Sequence, residues 1–216
     1  MIDTIQRMRT SAFIDASNLF YGGKESLGWS IDYQKLYHYL ERKYGVSKVY
    51  YFGGVEIHRF PFDYLTNETV PVGELKKYLT DLIKTEGDQM NEADLKLISR
   101  HYNRVCFYRK LESFGYTLVL KPVKTYYDAN DNPIRKANCD VDMTLSMATE
   151  KDSFDRAIML SGDGDFLPAL KYLRQSGKEV LVLARGPRTA KEIKRFAGSQ
   201  FLDFEYLRTH LEFEEK

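Results

Sequence analysis

The sequence predicts an α/β fold built on a central, mainly parallel sheet. Two observations carry that prediction. Short runs that are apolar on both faces recur along the chain, as strands covered on both sides require. Segments with helical periodicity alternate with those runs through short joints, which is the signature of parallel strands linked by helical crossovers. At 216 residues the chain is long enough for one such domain with decorations, and it can bury a core without metal or disulfide staples.

The elements follow in order. Ala12–Asp15 (AFID) is the first apolar run and Lys48–Gly53 (KVYYFG) the second. Between them, Tyr33–Tyr44 carries Leu36 and Leu40 four residues apart on one helix face, and Gly45 is a natural stop. Residues 55–113 break the rhythm. Gly73–Lys84 and Asn91–Phe114 read as helices, with Pro61 and Pro71 marking turns, so a helical insertion follows the second strand. Tyr116–Leu120 (YTLVL) is the third strand. Residues 122–138 read as a β-hairpin, because Val123–Tyr127 and Ile134–Lys136 flank the turn-forming run DANDNP. Val141–Thr149 presents Val141, Leu145 and Ala148 on one helix face. Ala157–Ser161 (AIMLS) is the fourth strand, Phe166–Gln175 a helix with Phe166, Leu170 and Leu173 inward, and Glu179–Ala184 (EVLVLA) the fifth strand. The following segment, ARGPRTAKEIKR, reads as a basic loop, and the charged tail LRTHLEFEEK is expected to fray. The whole is expected to form a single domain over 1–216, with its core at about 9–205. Trp29 and the Tyr50–Tyr51 pair read as core.

Lys and Arg number 32 against 31 Asp and Glu, a formal net charge of +1, which argues against a protein that coats nucleic acid by net charge alone. A local basic patch remains sufficient for a nucleic-acid partner. Cys106 and Cys139 lack C-x-x-C neighbours and the four histidines are scattered, so the usual zinc spacings are missing. Free thiols, a charged N-terminus without an apolar core and the lack of a membrane-length apolar run place the protein in the cytoplasm as an expectation.

The chemistry signal is the placement of aspartates. Asp15 ends the first strand in FIDASN. Asp163 and Asp165 follow the fourth strand in SGDGDF. Asp140 and Asp142 open the preceding helix in NCDVDM. In an open parallel sheet the functional crevice lies outside the carboxyl ends of the strands, so these segments meet there if strands one and four are neighbours. Clustered carboxylates repel one another unless a hard cation sits among them, and Mg²⁺ or Mn²⁺ with oxygen ligands suits phosphate chemistry. Each acid also has a structural reading. Asp140 fits an N-cap, Asp142 a first helical turn, and Asp163-Gly164-Asp165 a turn with its own cap. Asp15, at the end of an apolar strand, has to be solvated, paired or functional. Asn18 reads as an orienting partner or water-mediated ligand beside Asp15, or equally as a cap of the next turn, and Ser161 as a hydrogen-bond partner of a phosphate or of the turn backbone.

These segments, in this order, resemble the NYN family of PIN-like nucleases, the group that includes LabA-like proteins. FIDASNLF is similar to its first-strand motif ending in D-x-x-N, KANCDVDMTLSMA to its K-G-x-x-D-V helix start, and SGDGDFLPALKYLRQSGKEVLVL to its S-G-D-x-D-F segment. The resemblance runs from about Arg9 to Phe204. It implies a three-layer α/β/α sandwich and a metal-dependent ribonuclease. Catalytic residues would be Asp15, Asn18, Asp140, Asp163 and Asp165. Asp15, Asp140 and Asp163 would be the Mg²⁺ or Mn²⁺ ligands, with Asp142 and Asp165 as further candidates. Ala137 stands where the family places glycine, and Ser146 where many relatives place another aspartate.

Lys124, Arg135 and Lys136 on the hairpin, and Arg185, Arg188 and Lys191 after the fifth strand, are the candidate RNA contacts, since Lys and Arg on phosphate supply most non-specific affinity. Tyr126 and Tyr127 either stack unpaired bases or pack inward. Single-stranded RNA is the expected partner, and the helical insertion the expected surface for self-association or a protein partner. Two other readings stand beside the nuclease. One is an RNA- or protein-binding regulator that keeps the fold without efficient catalysis, which the Ser146 departure favours. The other is a haloacid-dehalogenase-like phosphatase, against which Ser17 counts, because that class needs a second aspartate two residues after the first.

Overall fold

The structure, a computed structural model, describes residues 8–20 and 26–214. Backbone contacts divide the chain into two compact units, one of Met1–Phe52 with Asp140–Lys216 and one of Gly53–Cys139. The main sheet has six strands in the order β3-β2-β1-β6-β7-β8, with β1 at Thr10–Asp15, β2 at Val46–Val55, β3 at Tyr116–Pro122, β6 at Arg156–Leu160, β7 at Glu179–Ala184 and β8 at Phe201–Asp203. A separate antiparallel pair joins β4, Lys124–Tyr127, to β5, Pro133–Lys136. The fold is therefore the expected α/β architecture, a mainly parallel central sheet flanked by helices.

In the first unit β1 lies between β2 and β6, parallel to both, with Phe13 opposite Tyr50 on one side and Met159 on the other. The adjacency of strands one and four that the site argument needs is thus present. β7 continues the parallel order, and β8 adds an edge strand with Ala184 opposite Asp203. All six residues of β1 are buried, as both-face coverage demands. The ring of Phe13 stacks on Tyr50 at 5.2 Å and meets Phe154 edge-on at 5.6 Å. Trp29, Tyr50 and Tyr51 are buried as expected.

Helix α1 spans Ala16–Phe20 and α2 spans Tyr33–Tyr44. Asp32 caps α2 by accepting from the backbone N–H groups of Gln34 and Lys35, and Leu36 and Leu40 are buried. Gly45 closes the helix at φ 67°, a left-handed conformation that glycine adopts without a Cβ penalty. Helix α5, Asp140–Thr149, turns a different face inward from the one its sequence suggests. Met143 and Met147 are buried, whereas Val141 and Leu145 are exposed. The two i, i+4 pairs are interleaved on the helix, and periodicity alone does not choose between them. Helix α6, Leu167–Gln175, buries Leu170 and Leu173 as predicted, with Phe166 buried just before it.

The basic segment after β7 is more ordered than a loop. A 3₁₀ turn at Gly186–Arg188 leads into α7, Lys191–Ala197. The described part of the tail, residues 207–214, also departs from the expected fraying, while Glu215 and Lys216 lie outside the described residues. Helix α8, Arg208–Leu211, buries Leu211, and the chain beyond it bridges Ile31 with Glu212. Backbone bonds from Asp32 to Leu211 and from Phe213 to Ser30 hold it there.

In the second unit the insertion forms α3, Val72–Glu86, and α4, Glu92–Ser113, which pack against each other. Asn91 caps α4 through the Asp94 amide. The Tyr108 hydroxyl donates to the Gly54 carbonyl at 2.6 Å, and Leu120 of β3 donates to Thr69 Oγ1. The β4–β5 hairpin is exposed throughout, and Tyr126 and Tyr127 stay in solvent and do not pack inward. Among the described residues no helix is long and apolar enough to cross a membrane.

Candidate functional site

The carboxyl ends of β1, β6 and β7 lie side by side in the first unit, and the polar residues of the sequence motifs sit on the turns that leave them. Asp15 is the last residue of β1 and only 8 % exposed. Its Oδ1 accepts from the Ser17 amide at 3.0 Å, the Ser17 hydroxyl at 2.7 Å and the Asn18 amide at 3.2 Å. The carboxylate therefore caps α1 locally. Its Oδ2 accepts from the Ser161 hydroxyl at 3.0 Å, so the same group is tied across to the end of β6. Four donors fix its orientation.

Ser161 is fully buried, and its Oγ also accepts the Asp163 amide at 3.2 Å. It therefore links Asp15 to the turn that carries Asp163. Asn18 is the orienting group the sequence suggests, but it orients the neighbouring turn, since its Oδ1 accepts the Gly162 amide at 3.0 Å. From the other side, the Ala190 amide donates to the Gly162 carbonyl at 2.9 Å. A Cβ on Gly162 would stand 2.6 Å from Thr189 Oγ1 and 2.9 Å from its Cα, so only glycine admits this approach. Arg188 and Lys191 flank the segment anchored in this way, and both residues are exposed.

Asp163 is half-buried and its Oδ1 accepts the Asp165 amide at 3.0 Å, capping the 3₁₀ turn that leads into α6. Asp165 itself is exposed. Asp140 and Asp142 stand in the first turn of α5, where the helix dipole favours acids. The expected meeting of Asp15, Asp140 and Asp163 as a metal cage is not found. Among the described residues no three or more His, Cys, Asp or Glu side chains stand together so as to hold a metal ion. Asp15 is turned into its own helix cap and Ser161, and Asp163 into its own 3₁₀ turn.

The basic residues divide between the two units. Lys124, Arg135 and Lys136 belong to the second. There the ammonium of Lys124 lies 5.1 Å from the Tyr64 ring centre, and Arg135 pairs with Glu56 at 3.4 Å. Arg185 belongs to the first unit and is committed within the fold. Its side chain is 13 % exposed and its Nη1 meets Asp203 at 3.0 Å and Glu205 at 2.7 Å, while Nε donates to Ser26. Arg185→Ala strands the equally buried Asp203 carboxylate, so it is expected to lower the unfolding free energy by about 1–3 kcal/mol, read from urea denaturation. A loss below about 0.5 kcal/mol, the ordinary surface range, would remove this bracing role.

Sequence reasoning missed Ser17, Gly162 and Thr189 as parts of the site. Ser17 carried a readable signal, because a hydroxyl two residues after a strand-ending aspartate is the pattern of a local cap. The partners across the sheet carried none.

The NYN domain model matches residues 9–207. The low amplitude and bright protein LabA of Synechococcus elongatus is 24% identical over 208 residues, covering 94% of this chain and 88% of that protein. A crystal structure of a Vibrio parahaemolyticus protein of unknown function superposes with a TM-score of 0.61 at 17% identity, covering 94% of this chain and 96% of the other, which shows a shared fold. The D15 protein of bacteriophage T5, co-crystallised with metal ions, aligns over 87% of this chain and 59% of its own at 14% identity and a TM-score of 0.43. With the family model covering nearly the whole sequence, the chain belongs to the NYN domain family.

Proposed function

We propose that the protein is a divalent-cation-assisted ribonuclease that hydrolyses phosphodiester bonds of single-stranded RNA at the acidic edge of its first unit. The observation that carries this reading is the linked series Asp15–Ser161–Asp163, in which the carboxylate ending β1 is tied to the turn after β6 that carries Asp163. Membership of the NYN family supports it.

The donor chemistry fits a hard cation, since Asp15, Asp163, Asp140 and Asn18 offer only oxygen, and amide or hydroxyl groups already orient two of these acids. A closed three-acid cage is not assembled among the described residues. Mg²⁺ does not need one. It keeps several waters and is typically bound through one or two carboxylates plus substrate phosphates. Asp15 and Asp163 would hold it, with Asp140, Asp142 and Asp165 as the outlying acids of the same edge. A bound cation supplies a water of lowered pKa and neutralises charge on the phosphate. The remaining work falls to the chain. Ser161 and Asn18 fix the two turns against each other, and Arg188 and Lys191 draw the phosphate backbone toward the edge.

The regulator reading is favoured by Ser146, which stands where the resemblance to the family implies a further aspartate. One experiment separates the two. The protein is incubated with single-stranded and duplex RNA and DNA, with Mn²⁺, with Mg²⁺ or with chelator. The nuclease reading expects cleavage of single-stranded RNA that chelator abolishes. Retention of RNA without cleavage in excess Mn²⁺ would replace it with the regulator.

A further inference from the structure

The second unit carries a polar feature that the acidic edge does not explain. A cleft of about 260 Å³ is lined by Gly54, Glu56, Arg100, His101, Arg104 and Arg135, among others, all within residues 53–139. Arg100 and Arg104 are exposed and four residues apart on α4, hence on one helix face. The guanidinium of Arg104 lies 5.9 Å from the Tyr108 ring centre, which steadies it. Arg135 reaches in from β5 and meets Glu56. Three guanidinium groups thus share one lining carboxylate.

His101 sharpens the imbalance. Its residue is 7 % exposed, and its Nδ1 is buried without a hydrogen-bond partner. Burial lowers its pKa, and Arg135, His58 and Arg100 push in the same direction. Buried polar side-chain atoms are nearly always bonded, and an unpaired one calls for a specific reason. An anion in the cleft would offset the excess guanidinium charge and favour the protonated form of His101.

We propose that this cleft is a phosphate-binding site that takes a phosphate monoester. A monoester carries close to two charges and three strong acceptor oxygens, matching the forked donors of several arginines. At about 260 Å³ the cleft lies just below the usual range of ligand pockets, which suits a small anion. A free nucleotide and the 5′-phosphorylated end of an RNA strand present the same chemistry. Because no residue of the acidic edge lines the cleft, the site stands or falls independently of the nuclease reading.

The test titrates the full chain, in chelator, with inorganic phosphate, 5′-AMP and adenosine by calorimetry, alongside imidazole NMR spectra. Phosphate and 5′-AMP are expected to saturate and to move the His101 resonances, and adenosine is not. The double variant Arg100→Ala/Arg104→Ala removes two exposed side chains, so the melting temperature should hold while affinity drops at least about tenfold. Glu56→Gln frees Arg135 and should tighten phosphate binding about threefold or more, a gain that a merely structural role would not produce. Asp163→Asn should leave phosphate affinity unchanged. A 5′-phosphorylated RNA oligomer that outbinds its 5′-hydroxyl form and 5′-AMP assigns the site to RNA ends. Equal affinity for 5′-AMP and the phosphorylated oligomer assigns it to the monoester alone. Failure of phosphate to bind saturably, or an affinity indifferent to both the arginine and the Glu56 variants, overturns the proposal.

Discussion

Asp163→Asn is expected to reduce cleavage of single-stranded RNA by about a hundredfold or more while leaving the fold intact. The argument separates the two jobs of this side chain. Its Oδ1 caps the 3₁₀ turn by accepting the Asp165 amide, and asparagine caps helices about as well as aspartate. Its amide bond to Ser161 is a backbone contact that the substitution does not touch. What is lost is the negative charge, and with it one of the two carboxylates proposed to hold the cation. Removing one electrostatic contributor to a transition state typically costs a factor of about 10²–10³. Initial rates with Mn²⁺, taken beside a thermal melt, read both halves. Unchanged turnover in a folded variant would move the chemistry away from this edge.

The largest stability effect is expected at Phe13. This residue lies in the middle of the fully buried strand β1, with its ring stacked on Tyr50 and edge-on to Phe154. Phe13→Ala removes a whole ring from a site walled by two others, and such truncations cost about 3–5 kcal/mol. Phe13→Leu keeps most of the volume and is expected to lose less than half of that. Urea unfolding should show a lower midpoint with an unchanged slope, the mark of lost stability and not of altered compactness. A loss below about 1 kcal/mol for the alanine variant would show that the core does not close on this ring.

Both predictions draw on features of unequal visibility in the sequence. The strands of the first unit were legible because burial on both faces forces continuous apolar runs, and Tyr33–Tyr44 announced α2 by its i, i+4 leucines and its Gly45 stop. β8 was not legible. It has three residues, is only half-buried and sits at a sheet edge, so little selects its side chains. α7 was hidden by Gly186 and Pro187, which punctuate the chain just before a helix. On α5 periodicity offered two interleaved faces, and only the shape of the surrounding core chooses Met143 and Met147 over Val141 and Leu145. For the site, the aspartates and their strand ends could be located, but their orientations could not. The Ser161 hydroxyl that turns Asp15 is 146 positions away in the chain, and the bonds that turn Asp163 inward are set by the local turn. Spacing identifies which acids share an edge. It does not determine whether they face one another.

The double hold on Gly162 has a consequence for shortened chains. Asn18 grips its amide from 144 positions upstream, and Ala190 grips its carbonyl from beyond β7. Closing contacts of that span carries an entropic cost that neighbouring strands have to have offset already. The hold on Gly162 therefore depends on β1, β6 and β7 being aligned. An edge closed in this way needs residue 190 in place, so it is absent from any chain that stops before that point.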